Sequence, residues 1–139
     1  MQDLYSAGES VSMKVSIVMR KDVVKSKSDI SIKEAAIILQ RRRIGSIVIV
    51  DDEDKCVGIV TERDIIRSIA HNMPLETRIS RIMTANPITV GLDSSIAEVK
   101  AIMVNHRIRH VPVVDSENKV VGIISARDLL EGLMGIPTF

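Results

Sequence analysis

Apolar residues recur at a helical period twice along the chain. Ile32, Ala35, Ala36 and Leu39 stand at i, i+3, i+4 and i+7, and Ile96, Val99, Ile102 and Met103 follow a similar spacing further on. Each set predicts an amphipathic helix with one buried face. Two β-branched runs come after each helix: Ser46–Val50 with Cys56–Val60, then Val111–Val114 with Val120–Ile124. The polar links DDEDK and DSENK join the runs of each pair, which suits a hairpin. A short β segment precedes each helix, Val23-Val24 in one case and Ile88-Thr89-Val90 in the other, and a Ser/Asp-rich turn separates the two. A closing helix follows each hairpin, carrying Ile65, Ile66 and Ile69, or Leu129, Leu130 and Leu133. The order β-α-β-β-α therefore occurs twice.

Sliding the sequence on itself explains the doubling. An offset of 64 aligns residues 15–68 with 79–132 without gaps, with 18 identities over the 54 positions. Asp29 falls on Asp93, Glu34 on Glu98, Arg43-Ile44 on Arg107-Ile108, Val57-Gly58-Ile59 on Val121-Gly122-Ile123, and Arg63-Asp64 on Arg127-Asp128. The expected organisation is a tail over 1–14, a first repeat over 15–71, a linker over 72–78, a second repeat over 79–134 and a tail over 135–139. One repeat of about 55–60 residues buries too little surface to be comfortable alone. The two are expected to share a core with pseudo-twofold symmetry and to leave a cleft between them, an α/β (α+β) fold.

Composition narrows the function. The chain of 139 residues is 45% hydrophobic and 27% charged, which excludes a disordered or collagen-like polymer. No apolar run approaches the roughly 20 residues of a membrane helix. The opening residues, with Asp3 and Glu9 and no apolar core, do not read as a secretory signal, so a cytoplasmic setting is expected. Cys56 is the only cysteine, which forbids an internal disulfide framework or a cysteine-based zinc site. The net charge of +1 argues against a nucleic-acid partner. So does the near-absence of aromatics, since Tyr5 and Phe139 alone could offer a base-stacking face. A planar ligand would be held by aliphatic side chains.

The chemistry concentrates in Gly58-Ile-Val-Thr61-Glu-Arg63-Asp64 and its copy Gly122-Ile-Ile-Ser125-Ala-Arg127-Asp128. Both glycines lie inside strands, where glycine marks a bulge or the close approach of a backbone or ligand. Thr61 and Ser125 stand where strand gives way to helix, with Asp64 and Asp128 in the first helical turn. That spacing makes a capping box. It also suits a ligand, because an Asp there can accept both hydroxyls of a ribose while the hydroxyl and Arg63 or Arg127 meet phosphate. Arg41-Arg42-Arg43 reads as cations at a helix C-terminus, or as a polyphosphate or nucleic-acid contact. His106 and His110 stand four apart, but a strand begins at the second, which removes a shared metal-binding face. Asp51–Asp54 lacks calcium-loop spacing, Cys56 reads as a small core residue, and no motif arranges a catalytic triad. No catalysis and no metal are expected.

The doubled β-α-β-β-α pattern resembles the cystathionine-β-synthase (CBS) domain pair, or Bateman module, on Val57–Asp64 and Val121–Asp128, on Asn86-Pro87-Ile88-Thr89-Val90, and on Arg109-His110-Val111-Pro112-Val113. The resemblance covers residues 15–133. It implies a regulatory module that binds an adenine nucleotide (AMP, ADP or ATP) and relays occupancy to a regulated protein. Ribose would go to Asp64 or Asp128, and phosphate to Thr61, Ser125, Arg63, Arg127, Arg109 and His110. The adenine ring would lie among Val23, Val24 and Ile47 in one site, and among Ile88, Val111 and Pro112 in the other. The site with Asp128 is expected to be the better one, because Asn86-Pro87 and Arg109–Pro112 add a stiff apolar wall and a cation that Asp22-Val23 and Gly45-Ser46 lack. The closing helices carry more aliphatics than their own core needs, which predicts a homodimer. The rival readings are a ligand-free oligomerisation module, a binder of S-adenosylmethionine, and a nucleic-acid binder.

Overall fold

The computed structural model describes residues 13–134 and divides the chain into two compact units. Tyr5, Phe139 and both terminal tails lie outside the described residues, as does the side chain of Leu133. One unit is residues 23–87; the other combines 13–22 with 88–134. Compactness thus cuts the chain elsewhere than the repeat period does. The leading segment of each sequence repeat is folded into the unit that holds the other repeat's hairpin.

In the unit of residues 23–87, β1 (Lys25–Ser26) pairs parallel with β2 (Ser46–Val50), β2 antiparallel with β3 (Cys56–Thr61), and β3 antiparallel with β4 (Thr84–Ala85). Helix α2 (Ile32–Arg42) and helix α3 (Glu62–Ala70) complete it, with a 3-10 turn at Ile79–Arg81. In the other unit, β5 (Val90–Gly91) pairs parallel with β6 (His110–Val114) and β6 antiparallel with β7 (Val120–Ser125). There the chain adds a single helical turn, α1 (Val15–Val18), and the helices α4 (Ile96–His106) and α5 (Ala126–Met134). Arg20 bridges Ile123 as an extra antiparallel edge, the counterpart of β4.

The predicted helices and hairpins are present. The leading strands are displaced: pairing begins at Lys25 and Val90 rather than at Val23 and Ile88. Neither α1 nor the 3-10 turn follows from the apolar pattern, since each is too short to show a period. Tertiary hydrogen bonds hold them instead, Val15 N–H to the Ser94 carbonyl (2.8 Å) and Ile79 N–H to the Ile30 carbonyl (2.9 Å). Each unit encloses a hydrophobic cluster of its own, where the sequence predicts one shared core. Ile32, Ala35, Ile47, Ile49, Val60 and Ile79 centre one cluster; Val15, Val99, Val111, Val113 and Ile124 centre the other.

Local chemistry sets the element ends. Ser31 with Glu34 and Ser95 with Glu98 form reciprocal capping boxes at α2 and α4. The hairpin loops are fixed by Asp51 and Asp115, whose carboxylates each accept two backbone N–H bonds of 2.8 and 3.0 Å.

The two strand glycines are explained by a side chain rather than by a ligand. A Cβ on Gly122 would stand 2.4 Å from the Met19 sulfur and 3.1 Å from the Arg20 carbonyl oxygen. A Cβ on Gly58 would stand 2.6 Å from the Met83 sulfur. Glycine at both positions therefore lets the leading segment lie flat on the hairpin.

Two predictions follow from this packing and from the loop carboxylates. Gly122→Ala should destabilise the protein by roughly 1–3 kcal/mol through overpacking. Gly91→Ala, where a Cβ meets nothing within 4 Å, should be nearly neutral; equal melting temperatures for the two variants would refute the assignment. The second concerns pH. Backbone N–H donation, from Lys55 to Asp51 and from Lys119 to Asp115, holds both carboxyls below their ordinary range. A folded-state pKa below the unfolded one contributes stability above the unfolded value and loses it as pH falls through the folded value. The double substitution of Asp51 and Asp115 by Asn keeps the acceptors and drops the charge. Its deficit in melting temperature should be present at neutral pH and close as the pH falls below the ordinary aspartate range; a constant deficit would contradict this.

Candidate functional site

Both strand-to-helix junctions are built as the capping box predicts, with the acid drawn inside. Asp64 and Asp128 are buried, at 8% and 6% exposure. At the first junction the Thr61 N–H donates to Asp64 Oδ2 (2.8 Å), the Thr61 hydroxyl donates to the same oxygen (3.1 Å), and the Asp64 N–H donates back to Thr61 Oγ1 (3.3 Å). Arg67 Nη1 donates to Asp64 Oδ1 at 3.1 Å from one turn along the same helix. At the second junction the Ser125 N–H donates to Asp128 Oδ2 (2.9 Å) and the Asp128 N–H to Ser125 Oγ (3.1 Å). The cation here comes from far away in sequence: Arg20 Nε donates to Asp128 Oδ1 at 2.8 Å. That bond raises the Arg20 pKa above its ordinary value, and the charge of Glu131 adds to the effect.

A carboxylate offers about four acceptor positions. Asp64 uses three and Asp128 uses two, one on each oxygen. Asp128 therefore keeps one acceptor position on each oxygen, the arrangement a vicinal diol can meet. Asp64 keeps one in all.

Other predicted residues converge on these junctions. His110 pairs with Ser125 across the hairpin, as Ser46 does with Thr61. The Arg109 carbonyl accepts the first N–H of α5, from Ala126 at 2.9 Å, and the Gly45 carbonyl accepts the Glu62 N–H at 3.1 Å. Arg109 and His110 thus stand beside Ser125, where Gly45 and Ser46 stand beside Thr61. Arg63 and Arg127 are exposed on the first turn of their helices. Val23 and Val24 are half-buried ahead of β1, and Ile88 is exposed ahead of β5.

Some residues are placed otherwise. Ile47, Val111 and Pro112 are completely buried and present no surface to a ligand here. Asn86 and Pro87 belong to the unit of residues 23–87, where the Asn86 N–H is bonded to the Val57 carbonyl; Ile88 begins the other unit. Arg41, Arg42 and Arg43 are exposed at the end of α2. Burial raises the Cys56 thiol pKa and so disfavours the reactive thiolate. An open depression bounded by Thr89, Asp93, Glu98 and Asp115 lies away from the junctions. Its acids are engaged, Asp93 with Lys14, Glu98 in its capping box and Asp115 in its loop. No helix among the described residues is long and apolar enough to cross a membrane.

Sequence reasoning missed Arg20. The repeat alignment held the signal: Arg20 falls on Thr84 while Arg67 falls on Glu131. A cation is lost at one position and gained at the other around the same carboxylate.

Comparison with known proteins settles the family. The CBS domain model matches residues 14–71 and again 79–135. The chain belongs to the CBS-domain family. A 17.7 kDa protein of Acidianus ambivalens is 34% identical over 128 residues, 92% of this chain and 77% of that protein. The L-aspartate semialdehyde sulfurtransferase of Methanocaldococcus jannaschii is 38% identical over 132 residues, but this chain spans only 25% of it. The CBS domain pair of protein MJ0100, solved with 5-methylthioadenosine and S-adenosyl-L-methionine, superposes with a TM-score of 0.83 at 37% identity, covering 88% of this chain and 97% of that one. The CBS domain protein PAE2072 of Pyrobaculum aerophilum, solved with AMP, gives a TM-score of 0.80 at 29% identity over 89% of this chain and all of that one.

Proposed function

We propose that this CBS pair is a non-catalytic regulatory module that binds an adenosine-type ligand and reports its occupancy to a partner protein in the cytoplasm. The observation that carries this reading is the buried Asp128, which keeps an acceptor position on each oxygen for a ribose diol. Ser125, Arg109, His110 and Arg127 would supply donors for phosphate, a reading supported by the backbone pairing that sets Arg109 and His110 beside Ser125. The AMP, S-adenosylmethionine and 5-methylthioadenosine complexes of its structural relatives support the adenosine class. Ile88 would flank the base at one site and Val23 at the other. Regulation then follows from differential affinity, since a ligand shifts a conformational equilibrium only by binding one state better.

Exposed aliphatics on the closing helices, Ile66 and Ile69 on α3 and Leu130 on α5, support a homodimer built on these helices. A twofold pairing would remove them from water.

Two measurements test these proposals. In calorimetry and thermal shift with AMP, ADP, ATP, S-adenosylmethionine and 5-methylthioadenosine, at least one should bind without turnover. At 100 times its Kd it should add about 2.7 kcal/mol of apparent stability. Asp128→Ala should weaken binding roughly ten- to a hundredfold, and Asp64→Ala less. The absence of heat with all five at millimolar concentration, or a larger loss with Asp64→Ala, would refute the assignment. Light scattering should return twice the chain mass, and Ile66→Asp with Leu130→Asp should halve it; a wild-type monomer would contradict the dimer.

A further inference from the structure

The two junctions neutralise the same buried carboxylate from opposite sides. At Asp64 the cation is Arg67, on the helix that the carboxylate itself caps, and the edge position beside the hairpin is Thr84. At Asp128 the helix position is occupied by Glu131 and the cation is Arg20, on the edge segment. Arg20 is fixed at its backbone by two bonds to Ile123, its N–H donating to the Ile123 carbonyl at 2.8 Å and its carbonyl accepting at 3.0 Å. Its side chain is 56% exposed although its Nε is held by a carboxylate that is 7% exposed. A guanidinium carries five N–H donors. Only the Nε donor is used, so the two terminal nitrogens have no partner among the described residues. A planar cation anchored at one corner and open along its other edge is arranged to receive an oxyanion.

Resting on the adenosine reading above, we propose that Arg20 determines ligand selectivity at the Asp128 junction, favouring adenosines whose 5′ substituent is anionic over uncharged ones. The carboxylate takes the diol, and the guanidinium beside it takes a charge one ribose away. Thr84 gives the Asp64 junction no charge at this edge, where the cation is Arg67 on the helix instead. Asp128 and Glu131 would repel a phosphate; the anchored Arg20 offsets part of that repulsion and adds donors. This differs from a purely structural role for Arg20, which would affect every ligand equally.

The test is calorimetry of the full chain with AMP and with adenosine, for wild type, Arg20→Thr and Arg20→Lys. Wild type should prefer AMP. Arg20→Thr should weaken AMP roughly ten- to a hundredfold while adenosine changes little, and Arg20→Lys should retain most of the preference. If Arg20→Thr does not fold, Arg20→Gln keeps an N–H for Asp128, drops the charge, and gives the same readout. Equal weakening of both ligands, or no change in either, overturns the selectivity role and leaves the adenosine reading standing. A wild type that binds neither ligand overturns the selectivity role, and the adenosine reading falls with it only if the other adenosine-type ligands also give no heat.

Discussion

A carboxylate buried at the point where a strand becomes a helix is the constraint on which both units turn. Moving such a charge out of water costs several kcal/mol unless donors and a counter-ion replace the lost hydration. At Asp64 and Asp128 the replacement is the N–H that ends the strand and an arginine, and at Asp64 the Thr61 hydroxyl donates as well. The strand end, the helix start and the cation are therefore positioned by one group. Arg109 and His110 reach Ser125 because the β6–β7 register that delivers Ser125 to this carboxylate also delivers them.

The second constraint is steric. The leading segment can lie along the hairpin only if the strand beneath it carries no side chain at the crossing. Gly58 and Gly122 meet that need for Met83 and Met19. Gly132 does the same on α5, where a Cβ would stand 2.8 Å from Val18. The close approach on which strand glycines depend is thus made within the chain, and the ligand hypothesis rests on the carboxylates instead.

Helices, hairpins and caps were legible in the sequence because each is written locally, in period, turn chemistry and capping residues. The leading strands were misplaced by two residues because a two-residue parallel strand has no pattern. Its register is set by its neighbour, through bonds such as Val48 N–H to the Val24 carbonyl at 3.1 Å. Assigning Ile47 and Val111 to a ligand wall overlooked that a central strand is buried on both faces, so its apolar residues go to the core. The Thr61–Asp64 and Ser125–Asp128 caps were legible because their spacing recurs. Arg20 was not, because its partner lies 108 residues away.

That separation has a consequence for how the two junctions form. The Asp64–Arg67 pair is an i, i+3 contact, available as soon as α3 turns. The Asp128 pair needs residues 13–20 to dock on β7 first, closing a loop of nearly the whole chain at an entropic cost that grows with its length. Until then the buried Asp128 lacks the arginine that pairs with it, since its own helix carries Glu131 where α3 carries Arg67. The α5 junction is thus the later of the two to consolidate and the more dependent on a distant segment. An arginine that completes a buried charge from outside the helix gives up local stability, and in return ties the leading segment to the helix that it serves.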